Sequence, residues 1–216
     1  MTYKLSPHSL SVMDDCQRCF WQQQHEKVSR PSGPFPSLPS GMDLVLKAYF
    51  DHCRDNGTTP QELKDIPDAK LYQDKKTLSR WRNARQGIRW NDSDGNLLYG
   101  ALDNLLISGN KLVLLDYKTR GFAVTKVTPG YYKKQMDIYN FLLRKEGHET
   151  ASYSALLFYH PVAAGPGGSV QFETTLVKVP VDIDSIEEQF AQAVECLNGP
   201  KPKASAACSY HHWSQL

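Results

Sequence analysis

Residues 99–121, YGALDNLLISGNKLVLLDYKTRG, constrain the fold more than any other stretch. Gly109-Asn110 predicts a tight hairpin turn, with glycine supplying the positive φ at its first position. Counting outward pairs Ser108 with Lys111, Ile107 with Leu112 and Leu105 with Leu114. One face then carries Leu105, Ile107, Leu112 and Leu114, and the other Leu102, Leu106, Val113, Leu115 and Tyr117. A strand apolar on both faces needs cover on both, as a central strand in a layered α/β fold has.

The flanking segments supply that cover. Residues 5–27 read as a helix entered through Ser6-Pro7, a capping residue followed by a first-turn proline. The proline-rich residues 29–40 read as a connector pinned to the body by Phe35 and Leu38. Helical periodicity returns over 41–55 through Met42, Val45, Leu46, Tyr49 and Phe50. Residues 69–90 read as a helix with a strand near its end, and 131–146 as an amphipathic helix stopped by Gly147. Strands at 153–162 and 171–181, around the glycine-rich loop 164–169, lead to a last helix at 183–197 and an irregular tail. The 216 residues suit one domain: an N-terminal helical part (1–60), a sheet and helix carrying the chemistry (95–182), and a C-terminal helix with tail (183–216). No apolar run suits a signal peptide or a membrane span, which predicts a cytoplasmic protein with no membrane partner.

The hairpin count also sets Asp103 directly opposite Asp116, with Cβ atoms about 5 Å apart, and Lys118 one step beyond on the same face. Two buried carboxylates repel each other and resist desolvation. A divalent cation relieves both penalties. Asp103, Asp116 and the Tyr117 backbone carbonyl form an oxygen donor set suited to Mg²⁺ or Mn²⁺. Lys118 would orient a metal-bound water or stabilise developing negative charge. Without a metal, the same residues read as a salt-bridged cluster neutralised by Lys118.

These residues resemble the PD-(D/E)XK nucleases of the RecB type. Gly100–Asp103 matches the family's G-x-x-D, Asp116–Lys118 its D-x-K, and Gln135 with Tyr139 its Q-x-x-x-Y on the next helix. The resemblance implies a restriction-endonuclease-like core: a mixed sheet flanked by helices, with the chain ends joined by a metal or iron–sulfur site. It also implies metal-dependent cleavage of DNA by Asp103, Asp116, Lys118, Gln135 and Tyr139. The expected activity is exonucleolytic, on single strands or duplex ends, with protein partners in CRISPR adaptation or recombination and repair. The other reading is an inactive nuclease fold that binds DNA or serves assembly. The chain departs from the family on the earlier helix, where a histidine usually assists the metal. That helix begins Gly41-Met42-Asp43, so Asp43 is the substitute ligand or else a first-turn acid facing the helix dipole.

Cys16-x-x-Cys19 and Cys208-x-x-His211 are paired ligand motifs near opposite chain ends, a pattern for a closed metal site. The resemblance implies a [4Fe–4S] cluster joining these ends, with Zn²⁺ the alternative. The family uses one N-terminal and three C-terminal cysteines, unlike the set here. Cys53 and Cys196 read as packing residues, Cys196 being the reserve ligand should His211 not serve. Net charge is only +2, but residues 70–90 hold seven bases against Asp74. Trp81, Arg82 and Arg85 there, with Thr119 and Arg120 after the D-x-K strand, are the expected DNA contacts.

Overall fold

The computed structural model describes residues 2–31, 33, 35–66 and 68–213. Its first strand, β1 (Lys4–Leu5), leads into helices α1 (Pro7–Asp15), α2 (Gln17–His25) and α3 (Ser37–Asp55). Strand β2 (Lys70–Leu71), helix α4 (Lys75–Arg82) and strands β3 (Ile88–Asn91) and β4 (Leu97–Gly100) follow. The predicted hairpin is β5 (Asn104–Ser108) and β6 (Lys111–Thr119). Helix α5 (Gly130–Lys145), strands β7 (Tyr153–Ala164) and β8 (Val170–Pro180), and helices α6 (Ile186–Asn198) and α7 (Ser209–Trp213) complete the chain.

The main sheet runs β2-β5-β6-β7-β8, and a second sheet runs β1-β4-β3. β6 and β7 are parallel, joined across the sheet by α5, while the other pairs of the main sheet are antiparallel. The fold is thus mixed α/β, with mixed sheets flanked by helices. Register around Gly109 (φ +61°) is the predicted one, pairing Ser108 with Lys111 and Leu105 with Leu114.

Each face of β5 and β6 is buried in its own core. Leu105, Leu112 and Leu114 pack with Trp81, Met136 and Ile138 on the face covered by α4 and α5. Leu106, Val113, Leu115 and Tyr117 pack with Leu46 and Phe50 of α3 on the other. Leu102 lies with the first group instead of the second, because the chain leaves the ladder before reaching it. Its N–H bonds the Trp81 carbonyl rather than a strand.

Other expectations needed correction. The helix over 5–27 is two, broken at Cys16, whose extended backbone (φ −164°, ψ 109°) starts α2 anew. Ser6 does cap the first, its side chain accepting from the Ser9 N–H. α3 begins at Ser37, not Gly41. Pro39 is tolerated because the first turn has no N–H partners to lose. Phe35 and Leu38 are 76% and 70% exposed and pin nothing. The tail is not wholly irregular, since 209–213 form α7. Among the described residues, no helix is long and apolar enough to cross a membrane.

Candidate active site and metal centre

β5 and β6 end unevenly. Their ladder stops at Asn104–Leu115, so Asp103 lies one residue beyond pairing while β6 continues alongside β7. Asp103 folds back on β6, and its Oδ2 accepts the Tyr117 N–H at 3.4 Å. A strand residue's N–H and C=O leave on the same side, so the Tyr117 carbonyl opens on this edge too. The turn before Asn104 is fixed from two helices. Arg82 Nε donates to the Asp103 carbonyl at 2.6 Å, and Arg54 Nη2 to Asn104 Oδ1 at 2.6 Å. Asp51 joins the two guanidiniums, and Asn104 Nδ2 bonds the Tyr117 hydroxyl.

Asp116 is buried on β6, the central strand of the main sheet, opposite Leu156 of β7. Burial, then the charge of Asp103, push its carboxyl up to about 7, with Lys118 and Lys47 opposing. Lys118 Nζ stands 2.7 Å from Asp116 Oδ2, yet that buried oxygen receives no well-aligned hydrogen bond. The ammonium also lies 3.5 Å from Gln135 Oε1 and over the Tyr132 ring, so Asp116 only shares it. Gln135 Nε2 in turn donates to the Tyr139 hydroxyl at 3.0 Å, as their one-turn spacing on α5 allows. Burial, with Asp116 and Asp103 adding, holds the Tyr139 phenol well above its ordinary range, so it remains a neutral donor.

Gly100 explains its own place in the motif. A Cβ there would lie 2.3 Å from Tyr139 Cε1, so only glycine lets the tyrosine ring lie on β4. Gly100, Asp103, Asp116, Lys118, Gln135 and Tyr139 form one connected cluster.

The earlier helix contributes two residues. Asp43 lies in the second turn of α3, away from the dipole's positive end, because the helix starts at Ser37. Lys47, one turn on, bridges Asp43 Oδ2 at 2.7 Å and Asp103 Oδ1 at 3.0 Å. Burial works against its charge, but Asp103 and then Asp43 raise its pKa overall. The sequence reading missed Lys47, although its i,i+4 spacing from Asp43 was there to be read.

Asp43, Asp103, Lys118 and Thr119 line a cleft of about 510 Å³. His8, Tyr99, Tyr131, Gln135 and Tyr139 line another of about 380 Å³. The residues fit a hard divalent ion: two adjacent carboxylates, a third within one lysine's reach, and a buried oxygen short of donors. When bound, such an ion supplies Lewis-acid stabilisation of phosphoryl charge and a more acidic water.

The expected DNA contacts divide. Trp81 is fully buried, its indole N–H donating to Glu146 at 3.1 Å, so stacking on a base is corrected to a core role. Arg82 is spent on Asp51 and the Asp103 carbonyl, which corrects it from phosphate contact to positioning. Arg85 is exposed. Thr119 faces the cleft, and Arg120 beside it has a buried Nε without a hydrogen-bond partner.

Far along the chain, Cys16, Cys19, Cys208 and His211 converge, their ligand atoms all within 4.8 Å of one another. Cys196 and Cys53 lie outside this group.

A sequence model described as the PD-(D/E)XK nuclease superfamily matches residues 4–213. No curated protein matches significantly. Among solved structures, one described as "Crystal structure of SSO0001" is similar at 13% identity and a TM-score of 0.47, over 94% of this chain and 80% of that one.

Proposed function

Because this chain belongs to the PD-(D/E)XK nuclease superfamily, a family of metal-dependent nucleases, we propose that it hydrolyses phosphodiester bonds of DNA with Mg²⁺ or Mn²⁺. The observation that carries this reading is the buried Asp116, forced beside Asp103 and only partly served by Lys118. A purely structural ion pair would not leave a buried carboxylate oxygen short of donors.

Asp103 and Asp116, with the Tyr117 carbonyl and Asp43 at the edge, would hold the ion. Lys118 sets its ammonium against the scissile phosphate or the attacking water. Gln135 keeps that ammonium aimed, and Tyr139 fixes Gln135. The surrounding core is the restriction-endonuclease-like one, its chain ends joined by a metal at the Cys/His cluster.

The substrate we propose is a single strand or a frayed duplex end, cut exonucleolytically, in recombination and repair or CRISPR adaptation. The clefts of about 510 Å³, with Asp43 and Asp103, and about 380 Å³, with Gln135 and Tyr139, are of a size that suits one strand. Tyr131 is 76% exposed at the rim of one cleft and suits base stacking, while Thr119, Arg120 and Arg85 suit phosphates. The test is digestion of end-labelled single- and double-stranded DNA with Mg²⁺ or Mn²⁺, beside Asp116→Ala and Lys118→Ala. Release of mononucleotides by the wild type alone is expected. Equal inertness of all three proteins would leave a DNA-binding or assembly role in place of catalysis.

A further inference from the structure

The Cys/His cluster is built from two matching halves. Cys16 caps α2, and Cys19 is the third residue of that helix. Cys208 directly precedes α7, and His211 is its third residue. Each half is therefore a ligand at a loop end and a second ligand one helical turn on. The Cys16 break that splits the N-terminal helix is what makes the halves alike. Cys19 Sγ lies 3.5 Å from Cys208 Sγ and 3.3 Å from His211 Nε2.

These spacings decide what can sit among the ligands. With Zn–S at about 2.3 Å and Zn–N at about 2.0 Å, tetrahedral edges come to roughly 3.5–3.8 Å, and no two sulfurs on one ion can exceed about 4.6 Å. The 3.3 and 3.5 Å contacts lie within a few tenths of an ångström of those edges, and the widest ligand separation, at most 4.8 Å, needs to close by about 1 Å on a bound ion. In a four-iron cube each ligand binds a different iron, so ligand atoms splay apart by a further metal–metal separation. Opening the site that far would drive α2 and α7 apart. The buried Cys16, Cys19 and Cys208 pack in the main core with Phe20 and Leu10.

The surroundings also suit a site carrying one net negative charge, as three thiolates around a dication would. Arg30 lines the same cavity as Cys19 and His211, is held by Asp15 at 2.9 Å, and lies 4.6 Å over the Tyr210 ring. The Ser205 N–H donates to Cys16 Sγ at 3.4 Å. Donors of this kind orient ligands and temper thiolate charge. We infer that Cys16, Cys19, Cys208 and His211 hold a single tetrahedral zinc-class ion rather than a four-iron cluster, with Arg30 as its outer-shell partner.

The test uses the full chain purified without oxygen from cells supplied with both iron and zinc. One zinc per chain, with no broad visible absorption, is expected. Cobalt(II) added after chelation should give the intense bands of tetrahedral thiolate-bound cobalt, altered in His211→Ala. Four irons and four sulfides per chain would overturn the inference. So would a chain that takes up neither zinc nor cobalt. Arg30→Gln should keep one zinc per chain but weaken its affinity about tenfold in competition with a chromogenic chelator. Unchanged affinity would remove Arg30 from the assignment. Metal content and spectra are independent of DNA cleavage, so failure here is distinct from failure of the nuclease reading.

Discussion

The two ligand clusters differ in what neutralises them. At the carboxylate site the protein brings its own cations: Lys118 on Asp116, and Lys47 between Asp43 and Asp103. That site can fold without a metal, at an electrostatic cost held in Asp116. At the Cys/His site Arg30 shares the cavity of Cys19 and His211 without an ion pair to any carboxylate ligand, and the two halves come from opposite ends of the sequence. Metal loss should therefore silence the first site and loosen the second.

The largest effect belongs to Asp116→Asn. Activity should fall by about 10³-fold or more, since an ionic ligand becomes a neutral amide. Metal-free stability should move the other way, with a sign fixed by linkage. The folded carboxyl is held up to about 7, above its ordinary 3.8. The folded state therefore keeps its proton longer than the unfolded one. Nothing is lost below the unfolded value, and wild-type stability falls as pH rises between the two, by about 1.4 kcal/mol per pH unit. The asparagine variant lacks that slope, so its advantage in chemical denaturation should grow from pH 4 to pH 7. A constant difference across that range would mean Asp116 is not strained by burial beside Asp103.

Next comes the staple. Chelating the wild-type metal, or substituting Cys208→Ser, should lower Tm by roughly 5–15 °C, as for a cross-link closing a very long loop. Cleavage by the remaining folded protein should change less than about tenfold at low temperature, because no Cys/His ligand lines either cleft beside the carboxylates. Abolished cleavage in a still-folded chain would tie the two sites together.

Gly100→Ala tests the wall between Tyr139 and β4. The new methyl would overlap the ring, so a loss of about 1–3 kcal/mol in stability is expected. Adding Tyr139→Leu makes room, so the double variant should lose less than the sum of the singles. Strict additivity would show that the glycine is not there for the tyrosine.

What the sequence made legible follows the range of the forces involved. The hairpin register rests on a two-residue turn and a period of two, so it could be counted, but Asp103 lies one residue past the last pair and turns back onto the Tyr117 N–H instead of facing Asp116 across the ladder. Gln135 and Tyr139 share one turn of one helix. The Asp51–Arg54–Arg82 clamp could not be counted, because Asp51 and Arg82 meet only when α3 and α4 do. Trp81 was misread for a related reason. Among so many bases it looks like a stacking surface, but α4 turns that side to the core with Leu78. Cys16 gave no sign that it would break a helix, since the break serves a partner motif some 190 residues away.

Lys47 offers the smallest and most discriminating effect. Its ammonium now occupies the Asp103 Oδ1 side that a divalent ion would also use. If it is a resident counter-ion, metal must displace it. Lys47→Met should then bind Mn²⁺ about threefold to tenfold more tightly, measured by the loss of free-ion signal in electron paramagnetic resonance. The unpaired carboxylates should at the same time lower metal-free stability by about 1 kcal/mol, because two acids lose their shared partner. Weaker Mn²⁺ binding would reverse the account. It would mean that Lys47 holds Asp43 and Asp103 in the ligating arrangement, and that this site, like the Cys/His staple, depends on an outer-shell cation to assemble its donors.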